Sequence, residues 1–272
     1  MRFYSDEIIL SKYMQNYDKE KFTETVCFGL GCGLQFDYDS MTGVISPLRR
    51  NVIERFFQRM AYPVKVICIK ESYSYPIKQI REYINNGCIP IIQFKEQYGL
   101  INDIDSKNNF FIQDYEGKQE KLLISEVLQA SSVCRVFLID NCFNEHFPSN
   151  YDLKIIYRSA IWIDASECLR STSYLMGLRE YDDYSDDMKY SLTSLFQMTR
   201  SKYADWLDKV SDELEDNSFS IASEKCRLIA ELWSKYQESI SQSKNGKLLL
   251  KDIYAHENEL CKDLCNIVQV KI

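Results

Sequence analysis

Two thiols sit in one glycine-spaced run, Cys27-Phe28-Gly29-Leu30-Gly31-Cys32-Gly33-Leu34, which holds three of the nine glycines among 272 residues. Glycine lets a backbone pass close to a ligand, and a thiol beside it becomes a nucleophile once a base or a positive field favours the thiolate. A helix opening after the run would supply part of that field. The base is scarce, because the chain has only two histidines, His146 and His256. Neither is close in sequence, so the simpler account makes Cys27 and Cys32 small buried residues of a packed loop. The run is not a phosphate loop: its spacing is GxGxG, no Lys-Ser/Thr follows, and no strand precedes it.

Other clusters invite chemistry less. Cys142 and His146 are four apart, a helical spacing that suits zinc, but Pro148 follows at once and only two ligands are local. A distant set of His256, Cys261 and Cys265 would have to complete the site, and zinc sites show tighter paired spacing. The acidic stretch from Glu180 to Asp187 lacks the alternation and glycine of a calcium loop, and reads as solvated. Tyr73, Tyr75 and Tyr98 could line a cleft near the glycines, although half-buried tyrosines with a wet hydroxyl are common packing. No metal or cofactor is expected.

Composition narrows the classes. Net charge is −7 and hydrophobic residues make up 45%, with a pI of about 5.1. Such a surface cannot displace counterions from nucleic acid, and the core is ample. No apolar run approaches a membrane span, and Met1-Arg2-Phe3-Tyr4-Ser5-Asp6-Glu7 is unlike a signal peptide. A cytoplasmic protein is expected, with its ten scattered cysteines reduced.

The elements that must position these residues change character along the chain. Residues 5–17 and 22–26 have helical patterns, and residues 47–61 suggest a helix opening at Pro47. Strand-like runs occupy 64–69, 89–94, 98–101, 110–112 and 133–139, with a helix over 76–86 ended by Asn86-Gly87. Residues 102–109 read as a tight turn. After about 148, long helical stripes dominate: Trp206, Leu207, Val210 and Leu214, then Ile229, Leu232, Trp233 and Tyr236. A turn at Lys244–Lys247 precedes a last helix from about Leu248. An α+β domain over 1–148 and a helical domain over 149–272 follow.

The stretch Phe22-Thr23-Glu24-Thr25-Val26-Cys27-Phe28-Gly29-Leu30-Gly31-Cys32-Gly33-Leu34-Gln35-Phe36-Asp37-Tyr38 resembles the glycine motif of the butirosin biosynthesis protein H family. Arg50 with Phe56-Phe57, the segment Ile80 to Pro90, the run Arg200 to Leu207, Trp233, and the acids between Glu257 and Glu259 match the family in order. The resemblance implies a papain/C39-peptidase-like domain with a central antiparallel sheet, followed by a helical domain. It implies acyl transfer from a carrier-protein thioester to an amine, by a Cys at the start of the first helix, a His on a central strand and an Asp just beyond.

This chain departs from that pattern at the chemistry. The nucleophile region is Tyr4-Ser5-Asp6-Glu7, without Cys or His, and the base position falls on Gln97. Asp114, after Phe110-Phe111-Ile112-Gln113, keeps the orienting place. The candidate catalytic residues are therefore Cys32, Gln97 and Asp114, with Ser5, Phe28, Gly29, Gly31, Gly33 and Tyr98 lining the substrate cleft. Three functions follow. The first is an acyltransferase-like protein of specialised-metabolite assembly that binds an acyl or peptidyl group, its carrier protein or a small-molecule acyl donor without a thiolate. The second is an active amide-forming acyltransferase using Cys32. The third is a non-catalytic partner subunit of a biosynthetic complex, which pairs with itself or an active paralogue or organises that complex.

Overall fold

A computed structural model describes residues 5–18, 20–31, 33–34, 36–39, 44–47, 52–69, 74–94, 97–123, 125–126, 134–139, 148–170, 181, 184–242 and 246–269. The fold is mixed α+β. One compact unit comprises residues 1–27 and 51–148, and a second comprises 28–50 and 149–272. One boundary between them falls between residues 148 and 149, and residues 28–50 group with the later helices.

The first unit is built on a six-stranded antiparallel sheet. Its strands are β3 (Val64–Ile69), β4 (Ile91–Phe94), β5 (Gln97–Ile104), β6 (Phe110–Gln113), β7 (Gln119–Leu122) and β8 (Cys134–Ile139), in the order β3-β8-β4-β5-β6-β7. Pairs such as Ile92 with Gly99 and Ile92 with Val136 fix the register. Because side chains alternate across a strand, one face carries Ile67, Ile69, Ile92, Ile101, Val136 and Leu138, all buried. Helix α4 (Ser74–Asn85) lays Ile77 and Ile80 on that face. It stops at Gly87, whose φ of 80° is the left-handed end that glycine tolerates, with Cys88 N–H donating to the Tyr83 carbonyl at 3.1 Å.

The opposite face carries Ile91, Leu100, Phe137, Tyr98, Gln93 and Arg135 by the same alternation. Helices α1 (Ser5–Met14) and α3 (Val52–Arg59) belong to this side. Their aromatic contact is edge-on, with Tyr13 and Phe57 ring centroids 6.0 Å apart. Apolar Ile53, Phe56 and Phe57 make α3 strongly one-sided, which is why it buries them.

The second unit is a set of long helices: α5 (Asn150–Arg170), α6 (Asp186–Leu214), α7 (Asn217–Ser241) and α8 (Lys247–Gln269). A two-stranded ribbon, β1 (Phe36–Asp39) and β2 (Val44–Pro47), belongs with them. Helices α6 and α7 form a hairpin. Glu215 turns the chain in the left-handed region at φ 53°, and Asp216 caps α7 by accepting from Ser218 N–H. Trp206, Trp233, Tyr203, Phe196 and Phe219 fill the core. The stacked Phe196 and Trp233 rings are 4.5 Å apart.

Three local expectations are corrected. Pro47 ends strand β2, and the helix after it begins only at Val52. The turn assigned to 102–109 is shorter, since β5 runs on to Ile104 through a register shift between Ile101 and Asp103. Asp105 closes what remains by accepting from the N–H groups of Lys107 and Asn109. The glycine run is not one loop: α2 (Glu24–Leu30) contains Gly29.

Candidate functional site

The glycines serve close packing. A Cβ on Gly29 would collide with the Trp206 indole, and one on Gly33 would collide with the Phe28 ring. Lys202 lies over that ring, 5.8 Å from its centroid. Gly31 is buried in the turn after α2. The large indole needs a neighbour without a side chain, and the motif supplies it.

Cys32 lies outside the described residues, as do Tyr73, Cys142 and His146. Ser5 is placed by its backbone at the start of α1, and its side chain is not described. The other thiol of the run, Cys27, is fully buried and directed at the Phe22 carbonyl, 4.0 Å away. Burial drives its pKa well above the usual thiol range, and the Glu7 and Glu24 carboxylates push it further. Such a thiol stays protonated and inert.

Strand alternation separates the residues expected to act together. Gln97 and Asp114 fall on the α4 side of the sheet, two residues from Gly99 and Ile112 respectively. The neighbour on the α1 side is Tyr98. Its phenol is raised in pKa by burial first and by the nearby Asp6 carboxylate second, with Arg135 opposing both. Asp6 and Glu7, at the start of α1, are themselves buried. Arg135 organises this side: its Nε donates to Gln93 Oε1 at 2.7 Å and its Nη1 to Glu54 Oε1 at 2.9 Å. The guanidinium also lies 5.3 Å from the Phe137 ring centroid. Acids, a phenol and one guanidinium thus occupy the ground beside the first helix.

The α4 side carries open space. A cavity of about 700 Å³ is lined by Ile92, Phe94, Gly99, Ile112 and Leu122, with Gln97, Asp114, Glu120 and Glu126 around them. Its floor is apolar because these strand positions continue the core face beyond the reach of α4. Gly99 deepens it, since a Cβ there would strike Ile112 and approach the Gln113 carbonyl to 3.1 Å. Asp114 is committed to its own hairpin, its Oδ1 accepting from the N–H groups of Glu116 and Lys118 at 2.9 and 2.8 Å. Lys12 holds the tip of that hairpin, donating to the Tyr115 carbonyl at 2.6 Å. The cavity lining therefore brings Gln97 and Asp114 together, while Tyr98 borders the cavity from a strand position whose side chain serves the opposite face.

Sequence reasoning missed Glu54, Gln93 and Arg135, and it missed Glu120 and Leu122 because strand β7 was not recognised. The only available signal was the charge of Arg135 inside an otherwise apolar strand. Among the described residues, no group of three or more His, Cys, Asp or Glu is arranged to hold a metal ion. None of their helices is long and apolar enough to cross a membrane. No family model matches this chain, and no curated protein matches it.

Proposed function

We propose that this protein is a butirosin-H-like acyltransferase relative that binds an acyl or peptidyl group, presented by a carrier protein or a small-molecule donor, without taking it up covalently. The cavity of about 700 Å³ with its apolar floor is the observation that carries this reading. It has the size and the mixture of apolar wall and sparse polar rim that ligand sites share. The surroundings of the first helix support it further. Asp6 and Glu7 lie in the region where the resemblance requires a thiol, Gln97 holds the place of the imidazole, and Cys27 is shut away with its proton. Any rate effect would then come from positioning rather than from a thiolate.

The test combines calorimetric titration of an octanoyl-pantetheine thioester with intact mass measurement. Saturable binding without an adduct is expected, and Gly99→Val, which fills the floor, should weaken it about tenfold or more. A stoichiometric acyl adduct on Cys32 would instead establish the amide-forming enzyme. No saturable binding by the folded protein would remove the acyl-binding reading and favour the silent subunit.

A further inference from the structure

The cavity on the α4 side is bordered by charge of one sign, and that restricts what a bound acyl group carries at its far end. Its floor is made by Ile92, Gly99, Ile112 and Leu122. Glu120 pairs directly opposite Ile112 across β6 and β7, so it stands on the same face of the sheet, beside the floor. Asp114 lies two residues beyond Ile112, about 7 Å further along. Glu126 joins the lining from the segment after β7. Asp114 uses Oδ1 within its hairpin, and Glu126 uses Oε2 to accept from the Leu123 N–H at 3.0 Å, so each has a second oxygen to offer a ligand.

The basic residues nearby leave these acids largely unanswered. Lys121 belongs to the lining, but it pairs in register with Phe111, which turns its side chain to the other face. There its ammonium meets Asp105 at 2.8 Å and lies 5.5 Å from the Phe111 ring centroid. Lys12 is held at the Tyr115 carbonyl. Lys118 meets Glu120 at 3.0 Å, but the two side chains are 68% and 58% exposed, and an ion pair so open to water contributes little. The acids of the lining are therefore opposed by one solvated lysine.

We propose that this cavity selects acyl groups that end in a cation, an ω-amino or basic aminoacyl chain, and disfavours groups that end in a carboxylate. Resting on the acyl-binding reading above, this selectivity adds the chemistry of the ligand's far end. The methylenes lie over Ile92, Gly99, Ile112 and Leu122, and the ammonium reaches Asp114, Glu120 and Glu126. A cation there gains charge-assisted hydrogen bonds to carboxylate oxygens, whereas a carboxylate meets like charge. Because water reaches Glu120 and Glu126, the preference is moderate and sensitive to salt.

The experiment titrates the full-length protein calorimetrically with pantetheine thioesters of one chain length: octanoyl, ω-hydroxyoctanoyl, ω-amino-octanoyl and the half-thioester of octanedioic acid. The amino probe should bind about tenfold more tightly than the hydroxy probe, and the carboxylate probe about tenfold less tightly. Raising salt from about 0.05 M to about 0.5 M should shrink both differences to about twofold. Glu120→Gln combined with Glu126→Gln should do the same at low salt. Glu82→Gln, which neutralises an exposed acid of α4 outside the cavity lining, should leave both differences in place. The probe series and its salt dependence use the unmodified protein, so they give an answer even where a variant fails to fold. Equal affinities for the hydroxy, amino and carboxylate probes, or tightest binding of the carboxylate, would overturn the selectivity while octanoyl binding keeps the acyl reading. A preference untouched by the double variant would overturn it too, because the cation would then be held elsewhere. No saturable binding of any probe would overturn both.

Discussion

Each unit contains an arginine paired with a glutamate inside the fold, and the two pairs do different things. In the helical unit, Arg200 Nε donates to both carboxylate oxygens of Glu257, at 2.7 and 2.9 Å, and their side chains are 1% and 3% exposed. In the sheet unit, Arg135 and Glu54 are 17% and 26% exposed, and the guanidinium is shared with Gln93. Glu54 Oε2 makes no hydrogen bond although it is buried. The first pair is sealed between helices, so removing either partner strands a charge in a medium that cannot solvate it. The second borders water and can be rebuilt. A sealed pair specifies packing; a half-open one, beside Tyr98, leaves the surface next to α1 polar and adjustable.

The sharpest way to break this comparison is Glu257→Ala, which should cost about 4 kcal/mol in urea unfolding by leaving Arg200 uncompensated. Arg135→Met should cost about 2 kcal/mol, less because water reaches its partner. The double change Arg135→Met with Glu54→Leu should recover most of that loss, as replacing both members of a pair often does. If the Arg135 single change proved as costly as the Glu257 one, the two pairs would not differ in kind.

On the other side of the sheet, Gly99→Val should destabilise by roughly 1–3 kcal/mol through overpacking against Ile112, with acyl binding lost at the same time. The smallest effect concerns acid. Lys121 and Asn109 hydrogen bonds hold the Asp105 carboxyl well below its usual pKa. A depressed carboxylate contributes stability that is present above its unfolded value, near pH 4, and lost as pH falls through the folded one. Asp105→Asn should therefore lower stability slightly at neutral pH, leave it unchanged in strong acid, and so flatten the acid limb of the stability–pH curve below about pH 4.

Part of this architecture was readable in advance. The alternation in Val64–Ile69 and the apolar spacing of Ile77, Ile80 and Ile84 mark a strand and a helix, because burying one face requires that period. Strand β7 was not readable. Its sequence, Gln119-Glu120-Lys121-Leu122, has one apolar residue and lies at the edge of the sheet, where charge guards against mispairing and carries no core signal. The glycine run misled for a related reason. Glycine marks a close approach, but the sequence cannot say that the approaching group is the Trp206 indole, 177 positions beyond Gly29, in place of a substrate.

The sequence by itself determined the mixed class, the change to helices after about residue 148, and the absence of Cys and His from the start of the first helix. All of these are local in the chain. Tertiary structure alone decided which face each strand residue serves. Alternation turns Tyr98 towards the first helix and Gln97 and Asp114 away from it, and a shift of one residue would reverse that. It likewise decided that Gly29 meets the Trp206 indole, since a contact between residues so far apart depends on how two apolar faces dock, not on the spacing along either one.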